Sequence, residues 1–189
     1  MILEGLVTTL NADGSGHLAP MGPEVDGCNF TTFTLKPFIT STTYQNLLAH
    51  GEGVLHVTDD VLLLARAAVG AAALSECFDA ITVHGKVLAG CCRFFEFRVT
   101  KFDNHPERPR IECEVFYSAS LRDFFGFNRA KHAVLEAAIF ATRFHLKPAA
   151  EIDVEFARLR TIVDKTAGPS EREAMAFLEN QWAKHRAAQ

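Results

Sequence analysis

The chain has 189 residues, a length that suits one large domain or a domain with an appendage. Its formal net charge of −4 and its pI near 6.1 give no reason to expect nucleic acid binding. The five cysteines are odd in number and form no Cys-x-x-Cys pair, which argues against a zinc site or a disulfide framework and favours a reducing, cytoplasmic setting. The most apolar run, residues 61–74, is too short to cross a membrane and contains Arg66.

The first 25 residues predict a β-hairpin with an unusual second strand. Residues 2–10 favour a strand, and the Asn, Asp and Gly residues of 11–16 favour a tight turn. The returning segment contains Pro20 and Pro23, each of which removes a hydrogen-bond donor from a sheet ladder, so it is predicted to lie at a sheet edge or to be interrupted. Between the prolines, the backbone of Met21 and Gly22 could approach a planar ligand closely. The alternative is an ordinary bulged edge strand.

A run of hydroxyl side chains predicts the start of a short helix. The run consists of Thr40, Ser41, Thr42 and Thr43. Ser and Thr are good helix caps and Gly51 is a natural stop, so the helix is expected to end near His50. Free backbone N–H groups, the positive end of the helix dipole and the hydroxyl donors together suit a phosphate. Capping alone is the alternative, but one hydroxyl suffices for a cap, and Asn46 adds a further donor.

The middle of the chain predicts a small β structure with helices tucked into it. Residues 28–35, 54–57, 85–100 and 110–118 have strand character, and the last two are expected to form a long antiparallel hairpin with Phe95 and Phe97 inside and Glu96 on the wetter face. Residues 61–74 predict a buried helix whose Arg66 needs a carboxylate, a carbonyl or a ligand phosphate as its partner. His56 fits a hydrogen-bonded core histidine. Because the predicted strands and helices do not alternate as βαβ units, a closed or partly open barrel is the expected fold.

From residue 127 the pattern switches to three helices. They are predicted to begin at Asn128, at Pro148 and at a capping box formed by Ser170 and Glu173. We therefore expect a barrel domain over residues 1–126 and a helical segment over residues 127–189 that packs on the barrel or forms a subunit contact.

Two cations stand in the first turn of the first of these helices. Arg129 and Lys131 occupy positions where the helix dipole disfavours positive charge by ~0.3–1 kcal/mol each. An anion bound at the helix start would reverse that effect, and so would pairing with acids such as Asp123 or Glu136. Both explanations stay open at this stage.

Several motifs together resemble a known family. In chain order they are Ala19-Pro20-Met21-Gly22, Ser41-Thr42-Thr43-Tyr44-Gln45-Asn46-Leu47, Val57-Thr58-Asp59-Asp60 and Asn128-Arg129-Ala130-Lys131. The set resembles an uncharacterised family of FMN-binding split-barrel proteins, which are relatives of the flavin-reductase-like proteins. The resemblance implies a mainly β fold with appended helices (α+β), namely a split β-barrel of the FMN-binding type with a C-terminal three-helix segment. It also implies a homodimer with FMN near the subunit boundary.

The resemblance further implies where FMN would lie. The phosphate maps onto the loop and helix start of Ser41, Thr42, Thr43 and Asn46, and the ring maps onto the second strand at Pro20, Met21 and Gly22. Arg129 and Lys131 as further phosphate or substrate ligands are an inference from the helix dipole, because the general split-barrel motif does not include them.

The reaction stays open, since a fold and a cofactor do not determine chemistry. One hypothesis is an FMN-dependent oxidoreductase acting on a small molecule, and another is a non-catalytic FMN-binding carrier or sensor. A barrel that binds another phosphorylated ligand is a third. No catalytic residue, metal site or nicotinamide dinucleotide motif is predicted, so a reductant would bind transiently or be another flavin.

Overall fold

The chain forms two compact units in the computed structural model, which describes residues 1–27, 30–74, 76–103 and 105–188. The barrel unit comprises Met1–Thr58 and Ala73–Phe124, and the helical unit comprises Asp59–Ala72 and Phe125–Gln189. The segment Asp59–Ala72 therefore belongs with the C-terminal helices, a grouping that the sequence did not suggest. The domain boundary at residue 126 stays a prediction.

The barrel unit is built on a seven-stranded antiparallel sheet. Its elements are β1 (Gly5–Leu10), β2 (Gly16–Met21), β3 (Glu24–Val25), β4 (Thr32–Leu35), α1 (Thr42–His50), β5 (Glu52–Val57), β6 (Cys77–Asp79), β7 (Lys86–Leu88), β8 (Arg93–Phe102) and β9 (Ile111–Ser120). The strand order is β2-β1-β5-β8-β9-β4-β3, and β6 and β7 pair as a separate two-stranded sheet. The predicted mainly β fold with appended helices is confirmed.

The first residues of the chain pair with β3, the strand at one end of the curled sheet. The N–H of Leu3 donates to the carbonyl of Pro23 (3.1 Å), and the N–H of Val25 donates to the carbonyl of Met1 (2.9 Å). The segment that leads into β1 therefore pairs with β3, which stands at the other end of the strand order. This pairing covers the edge of β3, whereas β2 stands at the opposite end of the strand order. The prediction that the proline-containing strand lies at an edge is confirmed.

Two predicted strands are shorter or interrupted. The predicted strand 28–35 begins only at Thr32, and Cys28 lies outside the described residues. The predicted strand 85–100 divides into β7 and β8, and Cys91 and Cys92 are buried in the connection between them rather than on a strand. The hairpin of β8 and β9 is confirmed, with register shifts at Glu96/Phe97 and Val99/Lys101.

Apolar side chains from most of the strands and from α1 fill the barrel. This core cluster consists of Val7, Val25, Phe33, Leu35, Leu47, Leu55, Phe95, Phe97, Ile111 and Cys113. His56 is also fully buried: the N–H of Leu88 donates to its Nε2 (3.1 Å), so Nδ1 carries the proton and donates to the carbonyl of Leu6 (3.2 Å). Burial lowers the pKa of His56 to about 4. The predicted core histidine is confirmed.

The helical unit contains α2 (Val61–Ala68), α3 (Arg129–Ala141), α4 (Ala149–Thr166) and α5 (Pro169–Ala187), with a single 3-10 turn at Phe144–Leu146. Helix α2 ends earlier than the predicted residue 74 because Gly70 adopts a positive φ of 71°. The N–H of Gly70 donates to Ala67 and that of Ala71 to Arg66, which is the Schellman arrangement that closes a helix. None of the described helices combines the length and the apolar character that a membrane span requires.

Helix α5 begins one residue before the predicted cap. Gly168 is the N-cap, Pro169 follows it, and the carboxylate of Glu171 accepts a hydrogen bond from the N–H of Gly168 (2.9 Å). Proline at the first helical position is favourable because its missing N–H has no partner there in any case. Glu173, predicted as part of the cap, instead pairs with Arg66 at 2.9 Å. Of the three kinds of partner predicted for Arg66, the structure shows a carboxylate.

Candidate functional site

Helix α1 begins as its hydroxyl run predicts. The Oγ of Ser41 accepts a hydrogen bond from the N–H of Tyr44 (3.2 Å) and donates one to the carbonyl of Phe38 (2.7 Å). At the other end, Gly51 adopts a φ of 67° and its N–H donates to Leu47. The predicted helix is confirmed, and one serine is sufficient to cap it.

Several hydrogen-bond donors in the first turn of α1 are not used by the described part of the protein. In the part of the chain that the structure describes, neither the backbone N–H groups nor the hydroxyl groups of Thr42 and Thr43 have a hydrogen-bond partner. Thr42 is exposed, whereas Thr43 is only 2% exposed. Unpaired N–H groups at the positive end of a helix form a binding site for an anion, and the two hydroxyls add further donors.

Asn46 has a different place in this arrangement. Its Nδ2 donates to the hydroxyl of Thr9 (3.0 Å) and to Oδ1 of Asn11 (2.9 Å), and its side chain is buried. Both amide hydrogens are thereby used, so the side chain attaches α1 to the end of β1 and to the turn that follows. In this structure Asn46 orients the helix and offers no spare donor to a ligand.

The second predicted segment lies on the edge strand and just beyond it. Pro20 stands opposite Leu6 in the register of β1 and β2, and the side chain of Met21 packs against the core cluster. Gly22 is exposed, and a Cβ at this position would lie 3.0 Å from the side chain of Ile2. Helix α1 packs against both β1 and β2, so the two predicted segments belong to neighbouring elements of the barrel unit.

The two predicted cations belong to the helical unit and differ from each other. The Nζ of Lys131 lies 2.9 Å from Oε1 of Glu171 and donates to the carbonyl of Asp59 (2.7 Å). Burial raises the pKa of Glu171, but the hydrogen bond from Lys131 and those from backbone N–H groups outweigh it, so the pKa is lowered overall. For Lys131 the structure therefore shows an ion pair with an acid, and this acid is Glu171 rather than the expected Asp123 or Glu136. Arg129 is exposed and has no partner among the described residues.

Sequence reasoning placed one charged group wrongly. Glu96 was expected on the wetter face of the hairpin, but it is fully buried. Its carboxylate accepts hydrogen bonds from the N–H of Ile81 (2.8 Å), the N–H of Thr82 (2.5 Å) and the hydroxyl of Thr82 (2.6 Å). The loop of residues 81–82 thus covers and satisfies it. The local alternation could not indicate this, because the covering residues lie outside the strand, 14 and 15 positions before Glu96.

Sequence reasoning also overlooked Arg108, which lies in the polar loop before β9. Its guanidinium carbon lies 4.6 Å from the centre of the Phe38 ring, and one of its N–H groups donates to the carbonyl of Lys36 (3.1 Å). Both partners belong to the segment that leads into α1. The polar character of the loop was readable from the sequence, but its proximity to the segment that leads into α1 was not.

Thiol and metal chemistry find little support in the geometry. Cys91 and Cys113 are buried, and burial raises the pKa of both thiols, that of Cys91 to about 11, so neither is an activated thiolate. Cys113 belongs to the core cluster of the barrel. Among the described residues, no group of three or more His, Cys, Asp or Glu side chains could hold a metal ion.

The curled antiparallel sheet, with α1 packed on its edge hairpin, defines the split-barrel fold of the flavin-reductase-like proteins. More narrowly, the chain belongs to the family described as a protein of unknown function (DUF447). The model of the family's N-terminal domain matches residues 3–122, and the second model of the family matches residues 128–180. No curated protein matches the chain.

Solved structures show the same fold at low sequence identity. The FMN-bound protein MM1853 from Methanosarcina mazei, described as a DUF447 protein, is similar with a TM-score of 0.83 and 20% identity over 95% of this chain and 94% of its own. Flavoredoxin from Methanosarcina acetivorans is similar with a TM-score of 0.53 and 14% identity over 63% and 68% of the two chains. The styrene monooxygenase flavin reductase from Pseudomonas putida S12 has a TM-score of 0.52 and 12% identity over 62% and 78%.

Proposed function

We propose that this protein binds FMN and that the start of α1 receives the phosphate. The observation that carries the proposal is the set of N–H and hydroxyl donors of Thr42 and Thr43, which have no partner in the described part of the chain. A phosphate has acceptor oxygens for several donors at once, and the dipole of α1 favours its charge. The FMN-bound state of MM1853, which is similar over nearly its whole length, supports FMN as the phosphorylated ligand.

The other residues of the proposed site have different roles. Ser41 holds the helix start in place through its cap, and Asn46 fixes the helix on β1. The flavin ring lies along Pro20, Met21 and Gly22, where the edge strand ends and the exposed glycine lets a flat ligand approach the backbone. Arg129 stays a candidate for a contact with phosphate or substrate, whereas Lys131 is already engaged by Glu171.

The proposed activity is that of an FMN-dependent oxidoreductase acting on a small molecule. FMN supplies hydride and electron transfer when it is bound, and the chain's own residues hold and orient it. The flavin reductase and the flavoredoxin among the structures of this fold support this class. The alternative is a non-catalytic FMN carrier or sensor. We also propose a homodimer in a cytoplasmic setting; the four described cysteines form no disulfide, which is compatible with that setting.

Titration of the purified protein with FMN, followed by flavin fluorescence, tests the proposal directly. Saturable quenching at a ratio of one FMN per chain is expected, together with a yellow protein after removal of free flavin. Bleaching by a nicotinamide donor without oxygen, faster than that of free FMN, separates the oxidoreductase from the carrier. Sedimentation should give twice the chain mass of 20.8 kDa. A colourless protein that does not quench FMN would refute the proposal.

A further inference from the structure

The loop before β9 brings a positive charge beside the segment that leads into α1. The N–H of Ile39 donates to the carbonyl of Glu107 (3.2 Å), so the backbones of the loop and the segment are joined. The guanidinium of Arg108 lies against the ring of Phe38 and donates to Lys36. The carbonyl of the same Phe38 accepts the hydroxyl of Ser41, the residue that caps α1. Arg108 is therefore connected to the helix start through a single residue.

The loop holds Arg108 in a defined conformation. The carboxylate of Asp103 accepts the N–H groups of Arg110 (2.7 Å) and His105 (3.2 Å), and the bond from Arg110 is the main reason that the pKa of Asp103 is lowered. The Nδ1 of His105 in turn accepts the N–H groups of Glu107 (3.3 Å) and Arg108 (3.1 Å). A cation whose backbone and side chain are both held loses less conformational entropy when it meets a ligand.

The three basic residues around this loop differ in their ionic partners. Lys36 and Arg110 share the carboxylate of Glu24, and Arg110 lies 3.1 Å from it. Arg108 is exposed and pairs with no carboxylate in the described ranges. One of its five N–H donors is used by the carbonyl of Lys36, which leaves the others for a ligand.

We propose that Arg108 supplies the positive charge that pairs with the phosphate of the flavin bound at the start of α1 and makes the site select FMN over riboflavin. This rests on the proposed function. The donors of Thr42 and Thr43 are neutral, so they can hold phosphate oxygens but carry no full charge to match a group of about two negative charges. Arginine suits this task because its planar fork of donors matches two phosphate oxygens at once.

The test compares FMN and riboflavin, which differ only in the phosphate, as ligands of the wild type and of Arg108→Gln. Glutamine removes the charge and keeps one amide donor for the carbonyl of Lys36. The wild type should bind FMN at least a hundredfold more tightly than riboflavin. Arg108→Gln should lose at least tenfold in FMN affinity while its riboflavin affinity changes less than twofold. Arg108→Lys, which keeps a charge, should recover part of the loss.

Lys101→Ala is the matched control, because it removes one exposed cation of the same unit whose partner is Glu112. It should leave the affinities for both flavins within twofold of wild type. Equal losses for FMN and riboflavin in Arg108→Gln would show that Arg108 merely supports the loop, and unchanged affinities would also overturn the inference. If FMN affinity falls in a Thr42→Ala/Thr43→Val variant but not in Arg108→Gln, only the role of Arg108 fails. A wild type that binds neither flavin would overturn the proposed function itself.

Discussion

Lys131 and Glu171 form an ion pair that joins the first turns of two helices. The Nζ and Oε1 atoms lie 2.9 Å apart, and the side chains are only 18% and 9% exposed. Each residue has a second contact, Lys131 with the carbonyl of Asp59 and Glu171 with the N–H of Gly168. The cation that appeared misplaced at the start of α3 is thus compensated from within the helical unit.

We expect the replacement of Lys131 by Gln to destabilise the protein whether or not FMN is present. It leaves the largely buried carboxylate of Glu171 without its cation, and breaking such a pair from one side costs about 3 kcal/mol. Thermal unfolding with and without excess FMN measures the effect. Arg129→Gln is the matched control, because this exposed neighbour should change stability by less than about 0.5 kcal/mol.

The two conditions also distinguish the roles of these cations. A loss of stability in Lys131→Gln that appears only when FMN is present would mark Lys131 as a ligand contact and contradict our interpretation of the ion pair. For Arg129→Gln, weaker FMN binding at unchanged stability would support the prediction that Arg129 touches the ligand. Unchanged binding would remove Arg129 from the site.

The hydroxyl groups of Thr42 and Thr43 should contribute to FMN affinity and little to folding. Removing both in Thr42→Ala/Thr43→Val deletes two donors to a charged group, each worth ~1.5–3 kcal/mol, so affinity should fall at least tenfold. The thermal midpoint of the unliganded protein should hardly move, because these hydroxyls have no partner in the described chain. Equilibrium titration with FMN measures the affinity, and thermal unfolding of the unliganded protein measures the midpoint.

Ser41→Ala provides the contrast within the same turn. Its hydroxyl accepts the N–H of Tyr44, and losing a helix cap costs about 1 kcal/mol of stability. This variant should therefore lower the unfolding midpoint as well as FMN affinity. An unchanged dissociation constant for the double threonine variant would exclude the phosphate from this helix start.

Asn46→Ala should destabilise the barrel unit rather than act on the ligand alone. Thr9, which is 1% exposed, and Asn11 both lose their donor, and a polar group left unsatisfied in a buried place costs ~1–3 kcal/mol. Urea unfolding of the unliganded protein measures this. Gln45→Ala, one residue away and exposed, is the control and should have a smaller effect. A variant of normal stability with weakened FMN binding would instead make Asn46 a ligand.

His56 should make stability fall as the solution is acidified. Its pKa in the folded protein, about 4, lies below its ordinary value of 6.5, so the unfolded chain binds the proton more readily. The stabilisation is complete above pH 6.5 and is lost as the pH falls towards 4, with a total of about 3 kcal/mol. Urea unfolding between pH 4.5 and 7.5 should show this slope.

The contribution of His56 to the pH dependence of stability has to be separated from that of His17, because burial lowers the pKa of His17 as well. His56→Gln should be less stable at pH 7, since two buried hydrogen bonds are disturbed, but its profile should be flatter than that of wild type. His145→Gln, which removes an exposed histidine, should keep the wild-type profile. Parallel profiles for wild type and His56→Gln would contradict the assignment.

Features that depend on a few neighbouring residues were determined by the sequence itself. Ser41 and Gly51 delimit α1 because capping needs only groups within four residues, and the prolines direct β2 to an edge because they lack a donor. The alternation of Phe95 and Phe97 likewise identified the core face of the hairpin. These local rules were sufficient for a small barrel as the expected fold and for the position at which α1 begins, whereas the binding of an anion at that helix start stays a prediction.

Partner choice was decided only by the tertiary structure. Lys131 meets Glu171 and Asn46 meets Thr9 across tens of residues, Glu96 is buried by a distant loop, and Arg108 lies beside the segment before α1. In each case the residue type indicated a need for a partner, and several candidates could have met it. Which one does depends on the path of the chain through space, because charges and hydrogen bonds act over a few ångströms and are indifferent to separation in sequence.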